Sequence, residues 1–327
     1  MAILRKQYWI ALLVTLVQPV VTSLANAGSI LVVRKNGPAF LEVKEGVAVE
    51  IDGDHTLVDY IISEKTKYEA FVKKVKQTNP DLMLLMDNQA VTYGIKYNQD
   101  KNKKTKLVPG VAAMGLNLKK YLSDIRGMSG ITYEVPGLTL ITRFRYIVNQ
   151  PLKRILTFYR GSEFSDLIAD TKAQLKREKI ELLAMDVEKE GKDKKSIVKF
   201  LDENLKETVN GKKVDGVLVL NDNALLNPET FGPIWVARAR EFKVPFLCGI
   251  ENFALRKLDF CTYAASPNHK ALGQQVAEQI LTIIEDGEED VGVEYILSVV
   301  QTLNLERAMK IGLKVNPATL GYVQLGR

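Results

Sequence analysis

Beyond residue 27, this chain of 327 residues has no apolar run near the ~20 residues that a membrane-spanning helix needs. It holds only two cysteines and two histidines. That excludes a disulfide-stapled miniature fold and leaves no recognisable metal-ligand spacing. Gly-x-Ser-x-Gly, the phosphate-binding P-loop and the dinucleotide glycine fingerprint are all missing. His55 lies among Asp52, Asp54 and Asp59, but the spacing suits a polar turn better than a metal site. With no nucleophile and base, carboxylate pair or metal constellation, the expectation is a protein that is not an enzyme and uses no cofactor or metal. The densest basic stretch, Lys96 to Lys106, has five lysines and no arginine. Nucleic-acid binding favours arginine with interleaved aromatics, so this run reads as a solvated loop and no nucleic-acid partner is expected.

What is present begins with a leader. Arg5 and Lys6 precede an apolar stretch from Ile10 to Val21, and Ala25-Asn26-Ala27 forms a small-residue cleavage site. These parts compose a secretory signal over residues 1–27, with Gly28 first in the mature chain. The competing reading, a membrane anchor, requires a longer apolar run. No cysteine follows the cleavage point, so a lipid anchor is not expected there. Removing Arg5 and Lys6 takes the net charge from +6 to +4. The mature protein is therefore expected to be exported, periplasmic and mildly basic. Cys248 and Cys261 then have two open fates: a disulfide, which that compartment permits, or two buried thiols.

The hydrophobic share is 46% and the charged share 26%, which places the chain among globular proteins and away from disordered ones. Short apolar runs alternate with amphipathic stretches. The first set of strands is read at Ser29–Lys35, Ala48–Asp52, Leu82–Asp87, Gly110–Gly115 and Gly130–Val135. The second set is read at Arg154–Arg160, Glu181–Val187, Gly216–Asp222, Val244–Ile250 and Asp259–Ala265. Continuous apolar runs of this length suit buried parallel strands. Helices are read at Tyr60–Gln77, Glu163–Arg177 with Ser162 as N-cap, Asn268–Glu285 and Leu305–Ile311. The pattern predicts an α/β protein of two doubly wound parallel-sheet lobes joined by a hinge. The divisions are 28–149, 150–265, and a C-terminal segment, 266–327, returning to the first lobe and the hinge.

Ligands of open α/β sheets bind outside the carboxyl ends of the strands. Those ends carry Lys35, then Asp87, Asn88 and Gln89, then Gly115 and Asn117 in the first lobe. The second lobe offers Arg160, Ser162, Glu163, Asn221, Asp222, Asn223, Gly249 and Glu251. Strands always run into polar loops, but acids, amides and a hydroxyl at matching ends suit a small polar ligand. Ser162 and Glu163 open a helix whose N–H groups favour an anion, and Asn88 and Gln89 open another. Asn88 reads equally as an N-cap. Glu251 follows Gly249, which allows close backbone approach. Tyr93, Tyr159 and Trp235 are either core residues or stacking platforms for a flat ligand.

Several segments in this order are similar to the type I periplasmic substrate-binding proteins of ABC transporters, in the branch with tryptophan- and phenylalanine-binding members. They are LKRILTFYRGSEFSD, KVDGVLVLNDNALLNPETF, VPFLCGIENFALRKLDFCTYAASPNHKALGQQVAEQIL and GVEYILSVVQTLNLERAMKIGLKV, with NPDLMLLMDNQAV and IRGMSGITYEVP more loosely. The resemblance spans most of residues 80–315. Residues 36–80 depart from it, and the helix after the first strand reads as shortened. It implies a monomeric receptor that closes on a small solute, such as an amino acid, and delivers it to a membrane permease; the alternative is a sensor that docks on a signalling receptor. It also implies that Asp222 receives a ligand amine, supported by Asn223. The competing role for Asp222 is capping the next turn.

Overall fold

The computed structural model describes residues 28–51, 53, 55–100, 107–287 and 291–326. The leader assigned to residues 1–27 lies outside these, as do Asp52, Asp54 and most of the lysine-rich run. Among the described residues, no helix is long and apolar enough to cross a membrane.

The first lobe alternates β1 (Gly28–Arg34), α1 (Pro38–Glu50), β2 (His55–Ile61), α2 (Tyr68–Thr78), β3 (Leu82–Met86), α3 (Asn88–Gln99), β4 (Gly110–Ala113), α4 (Leu118–Leu122) and β5 (Met128–Ile131). Its strands are parallel, in the order β5-β4-β3-β1-β2. All five residues of β3 are buried, as befits a central strand covered on both faces.

The chain then crosses to α5 (Gly137–Val148) and a second series. This runs β6 (Arg154–Tyr159), α6 (Gly161–Arg177), β7 (Glu181–Asp186), α7 (Lys194–Asn204) and the small hairpin β8 (Thr208–Val209) and β9 (Lys212–Lys213). It continues with β10 (Gly216–Val219), α8 (Ala237–Glu241), β11 (Phe246–Cys248) and β12 (Tyr263–Pro267). The parallel order β7-β6-β10-β11-β12 repeats the connectivity of the first lobe. The α/β class and the two doubly wound lobes are therefore as the sequence predicts.

Four local readings need correction. Ala48 to Glu50 is not a strand but the last turn of α1. The segment that reads as shortened holds a 13-residue helix, burying Val43, Gly46 and Val47 at helical spacing. Valine and glycine are poor helix formers, so composition there points to a strand while packing makes a helix. Tyr60 belongs to β2, and α2 begins only at Tyr68. Ser162 is not an N-cap; Arg160 occupies that position without a side-chain cap bond.

The segment after residue 266 divides between the lobes. Helix α9 (His269–Glu285), capped by Asn268, packs on α1, and β13 (Val293–Glu294) pairs with β5. In contrast, β14 (Val299–Leu303) pairs antiparallel with β12, and β15 (Gln324–Leu325) pairs with β14. Helix α10 (Leu305–Lys310) lies between those two strands in sequence. The chain thus passes between lobes at 132–136, at 268 and at 295–298. The crossing of α1 and α9 is made at two glycines. A Cβ on Gly46 would lie 2.2 Å from the Lys270 carbonyl oxygen, and one on Gly273 would lie 2.1 Å from that of Val43. Cys248 and Cys261 form a disulfide across a Cα separation of 6.2 Å, closing the loop between β11 and β12.

Candidate functional site

The five parallel strands of each lobe turn their carboxyl ends toward one cleft of about 490 Å³ between the lobes. Lys35, Phe40, Asp87 and Met114 line it from the first lobe, with Tyr133 from the first crossover. Arg160, Phe164, Asn221 and Ile250 line it from the second. Aromatic and polar side chains share the surface, a combination suited to a small ligand with both characters.

The charges in the cleft are paired within the protein. Asp222, 2% exposed, accepts two hydrogen bonds from Arg160: Nε at 2.7 Å and Nη2 at 3.0 Å. Its Oδ1 also accepts the Ala224 N–H at 2.9 Å. The carboxylate read as the receiver of a ligand amine thus holds a guanidinium and a turn. Arg160 is one quarter exposed, and its Nη1 has no partner among the described residues. Lys35 pairs with Asp87 at 2.8 Å. Asp87 also caps α3 by accepting the Ala90 N–H, and holds φ at 95° in a region that glycine favours. Met114 is left-handed too, at φ 56°. Non-glycine residues in such conformations cost roughly 1–3 kcal/mol each, and here both stand at the cleft edge.

A second group of bonds ties the lobes together. The Lys120 ammonium donates to the Glu163 carboxylate at 2.9 Å and to the Ser162 carbonyl at 2.7 Å. The Tyr121 hydroxyl donates to the other Glu163 oxygen at 2.9 Å, and Asn117 Nδ2 donates to the Glu163 carbonyl. Burial pushes the Glu163 carboxyl up, but the donors Lys120 and Tyr121 overcome that and hold it below its usual value.

The structure brings Asn88, Gln89, Glu163, Asp222 and Asn223 to the cleft wall, while Ser162, Gly115 and Glu251 are not among its lining residues. Asn88 is not the cap of α3; its amide grips the main chain of Leu116 in both directions. Gln89 turns its amide nitrogen toward Ser63 and Thr66. Asn223 is exposed and forms no hydrogen bond to the described residues. The N-terminus of α6, read as an anion site, is filled by the chain's own acids. Asp186 accepts from Gly161 N–H, and Glu188 accepts from both the N–H and the hydroxyl of Ser162. Gly115 packs beneath Leu118, and Gly249 makes room for the Asn221 amide. Of the aromatic candidates, Trp235 is buried and donates to the Leu225 carbonyl, Tyr93 donates to the Thr66 carbonyl, and Tyr159 packs in the second-lobe core. Phe40, Tyr121, Tyr133 and Phe164 take the positions at the cleft.

Sequence reasoning passes over Glu134, on the crossover beside Tyr133. Its Oε1 accepts the Asn117 N–H, while its Oε2 is shielded from solvent without a hydrogen-bond partner. Burial pushes this carboxyl up, and the Asn117 bond only partly offsets it. Tyr133 and His269 Nε2 are hydrogen-bonded at 2.8 Å, and His269 Nδ1 lies 3.1 Å from Glu42, which fixes the tyrosine against α9 and α1. Among the described residues, no group of three His, Cys, Asp or Glu side chains could hold a metal ion.

No protein-family model matches the chain, and no curated protein matches it in sequence. Solved structures do match it in shape. One is a substrate-binding protein with adhesive properties from Clostridium difficile, in its ligand-free, open form. It is 13% identical with a TM-score of 0.65, over 91% of this chain and 99% of that one. Another is an ABC domain from Streptococcus pneumonia in complex with L-Trp, 16% identical with a TM-score of 0.56, over 91% and 99%. A third is a periplasmic ribose ABC transporter protein from Conexibacter woesei, 15% identical with a TM-score of 0.51, over 87% and 95%. The chain has the two-lobed fold of the type I periplasmic substrate-binding proteins.

Proposed function

We propose that this protein is an exported solute receptor, without enzymatic activity, that captures a small polar ligand between its lobes and delivers it to an ABC permease. The observation that carries the reading is the cleft itself. Polar and aromatic groups from both lobes line one cavity, and bonds between Lys120, Tyr121 and Glu163 join its two sides. A ligand that bridges the lobes stabilises the closed arrangement by its differential affinity for it. Arg160, held in place by Asp222, offers a fixed donor to a ligand oxygen. Phe40 and Phe164 give the apolar part of the ligand a surface.

A thermal-shift screen of the purified protein against amino acids, nucleosides, sugars and small acids tests this. A ligand at 100 times its dissociation constant adds about 2.7 kcal/mol of stability. The expected result is a concentration-dependent rise in Tm confined to one chemical class, without turnover of the ligand. Product formation would move the protein to the enzymes. Pull-down of a permease by the liganded form, but not by the unliganded form, is the expected outcome for the delivery step.

A further inference from the structure

The carboxylates that line the cleft are Asp87, Glu163 and Asp222, and each of their oxygens already has a donor. Asp222 is bonded by Arg160 and the Ala224 N–H, Asp87 by Lys35 and the Ala90 N–H, and Glu163 by Lys120 and Tyr121. The cations in the lining, Arg160 and Lys35, are not used up. In the first pair the arginine side chain is 25% exposed and Asp222 2%. In the second the lysine side chain is 36% exposed and Asp87 12%. Each pair therefore buries its acid and turns its cation toward the cleft. Asp222 takes the Nε–Nη2 edge of the guanidinium, which leaves the Nη1–Nη2 edge without a partner among the described residues. The guanidinium carbon lies 5.9 Å from the centre of the Phe164 ring, another wall of the cleft. One ammonium hydrogen of Lys35 goes to Asp87, and the others have no partner among the described residues.

We propose that Arg160 and Lys35 form an anion clamp across the cleft, so that the solute this protein captures is an organic acid that enters as a carboxylate and bears no amine. The proposal rests on the solute-receptor reading and names the chemical class of the solute. It departs from the amino-acid ligand that the resemblance implies. An ionised carboxylate accepts hydrogen bonds and donates none, so it matches a surface with donors to spare and acceptors already engaged. The free N–H groups on one edge of a planar guanidinium fit both oxygens of a carboxylate at once. Asp222 holds the guanidinium from behind, so that edge is set before the ligand arrives. Lys35 follows β1 of the first lobe and Arg160 follows β6 of the second. A carboxylate that meets both cations favours the closed arrangement. An amino acid carries its ammonium on the carbon next to the carboxylate. At this clamp the ammonium would face two cations and find no carboxylate oxygen without a donor. Phe40, Met114, Phe164 and Ile250 give the apolar body of the acid its walls.

The test uses matched probes on the whole protein. 3-Phenylpropanoate is compared with L-phenylalanine, indole-3-propionate with L-tryptophan, and hexanoate with L-norleucine, while D-ribose serves as an uncharged polar solute. Titration calorimetry is run on the wild type, Arg160→Lys and Lys35→Met, with the unliganded Tm of each variant read alongside. Lysine at 160 keeps a cation for the buried Asp222 but loses the planar fork. Lys35→Met alters a partly exposed side chain, so the test does not hang on the folding of one variant. The expected result is an amine-free acid that binds roughly tenfold or more tightly than its amine-bearing match. Its affinity is expected to fall roughly tenfold or more in Arg160→Lys and about threefold in Lys35→Met. If an amino acid binds the wild type as tightly as its amine-free match, or ribose binds and the acids do not, the receptor reading stands and the acid assignment falls. Unchanged acid affinity in Lys35→Met, or in a folded Arg160→Lys, overturns the clamp as well. If no acid binds the wild type, the assignment falls, and the receptor reading is decided by the other solute classes of the thermal-shift screen.

Discussion

At the scale of single residues, the site is organised by how each charge is satisfied. Asp222 is almost wholly buried and bonded to a guanidinium that is only partly so. Replacing it with alanine leaves Arg160 without its counter-charge and Ala224 without its acceptor. Asp222→Ala is therefore expected to lower unfolding stability by about 2–3 kcal/mol, read from denaturant midpoints. The resemblance gave Asp222 a ligand amine to receive, with capping of the next turn as its competing role; a wild-type midpoint in this variant would overturn the structural role seen in its bonds to Arg160 and Ala224. Position was legible here, because acids and amides at strand ends reach the cleft by topology. Partnership was not. Arg160 and Asp222 are 62 residues apart, and no local pattern announces that one will neutralise the other. Glu134 escaped notice for the same reason. Its burial comes from the lobe crossing and from Asn117, and neither shows in the residues around it.

The same limit recurs at the scale of elements. Helix α9 was legible from its long amphipathic run, whereas α1 was not, since its valines and glycine speak for a strand. What makes α1 a helix is its contact with α9 through Gly46 and Gly273. An alanine at either position would place a methyl group in the backbone of the other helix. Gly46→Ala and Gly273→Ala are each expected to cost about 1–3 kcal/mol by forcing the helices apart, seen as a lower Tm. A Tm within error of the wild type would show that the helices do not cross there. The disulfide presents a related case. The sequence left two fates open for Cys248 and Cys261, because only the Cα separation decides between them. They are 13 positions apart, and a loop of about 15 residues is worth about 3 kcal/mol when closed. Cys248→Ala/Cys261→Ala is expected to lose about 2–4 kcal/mol. An unchanged midpoint would mean that the two thiols are not joined.

At the scale of the whole molecule, two lobes meet through a few polar bonds, and those bonds titrate. Glu163 has its carboxyl held below its ordinary value by Lys120 and Tyr121, against its own burial. A lowered carboxyl contributes to the closed contact above its ordinary pKa, and the contribution fades as pH falls through the lowered one. Small-angle scattering is expected to show the wild type expanding on acidification below the ordinary glutamate pKa of about 4.3, whereas Lys120→Ala is more open already at neutral pH. Equal dimensions for the two at neutral pH would remove this contact from closure. Such half-exposed pairs are worth about 0.2–1 kcal/mol, enough to shift a population a few-fold without locking it. The architecture of two repeated α/β lobes was legible because the alternation of strand and helix survives every local misreading. The return of the chain was less so, since α9 and β13 complete one lobe while β14 and β15 extend the other. That return matters before the protein is finished. Leu272, Val276 and Ile280 fill the first-lobe core from a helix made long after β5. At about 5–20 residues per second of synthesis, the wait is on the order of ten seconds. Throughout it the nascent first lobe shows an apolar sheet face that α1 covers only in part, and there a chaperone finds its grip or a neighbouring chain begins to aggregate.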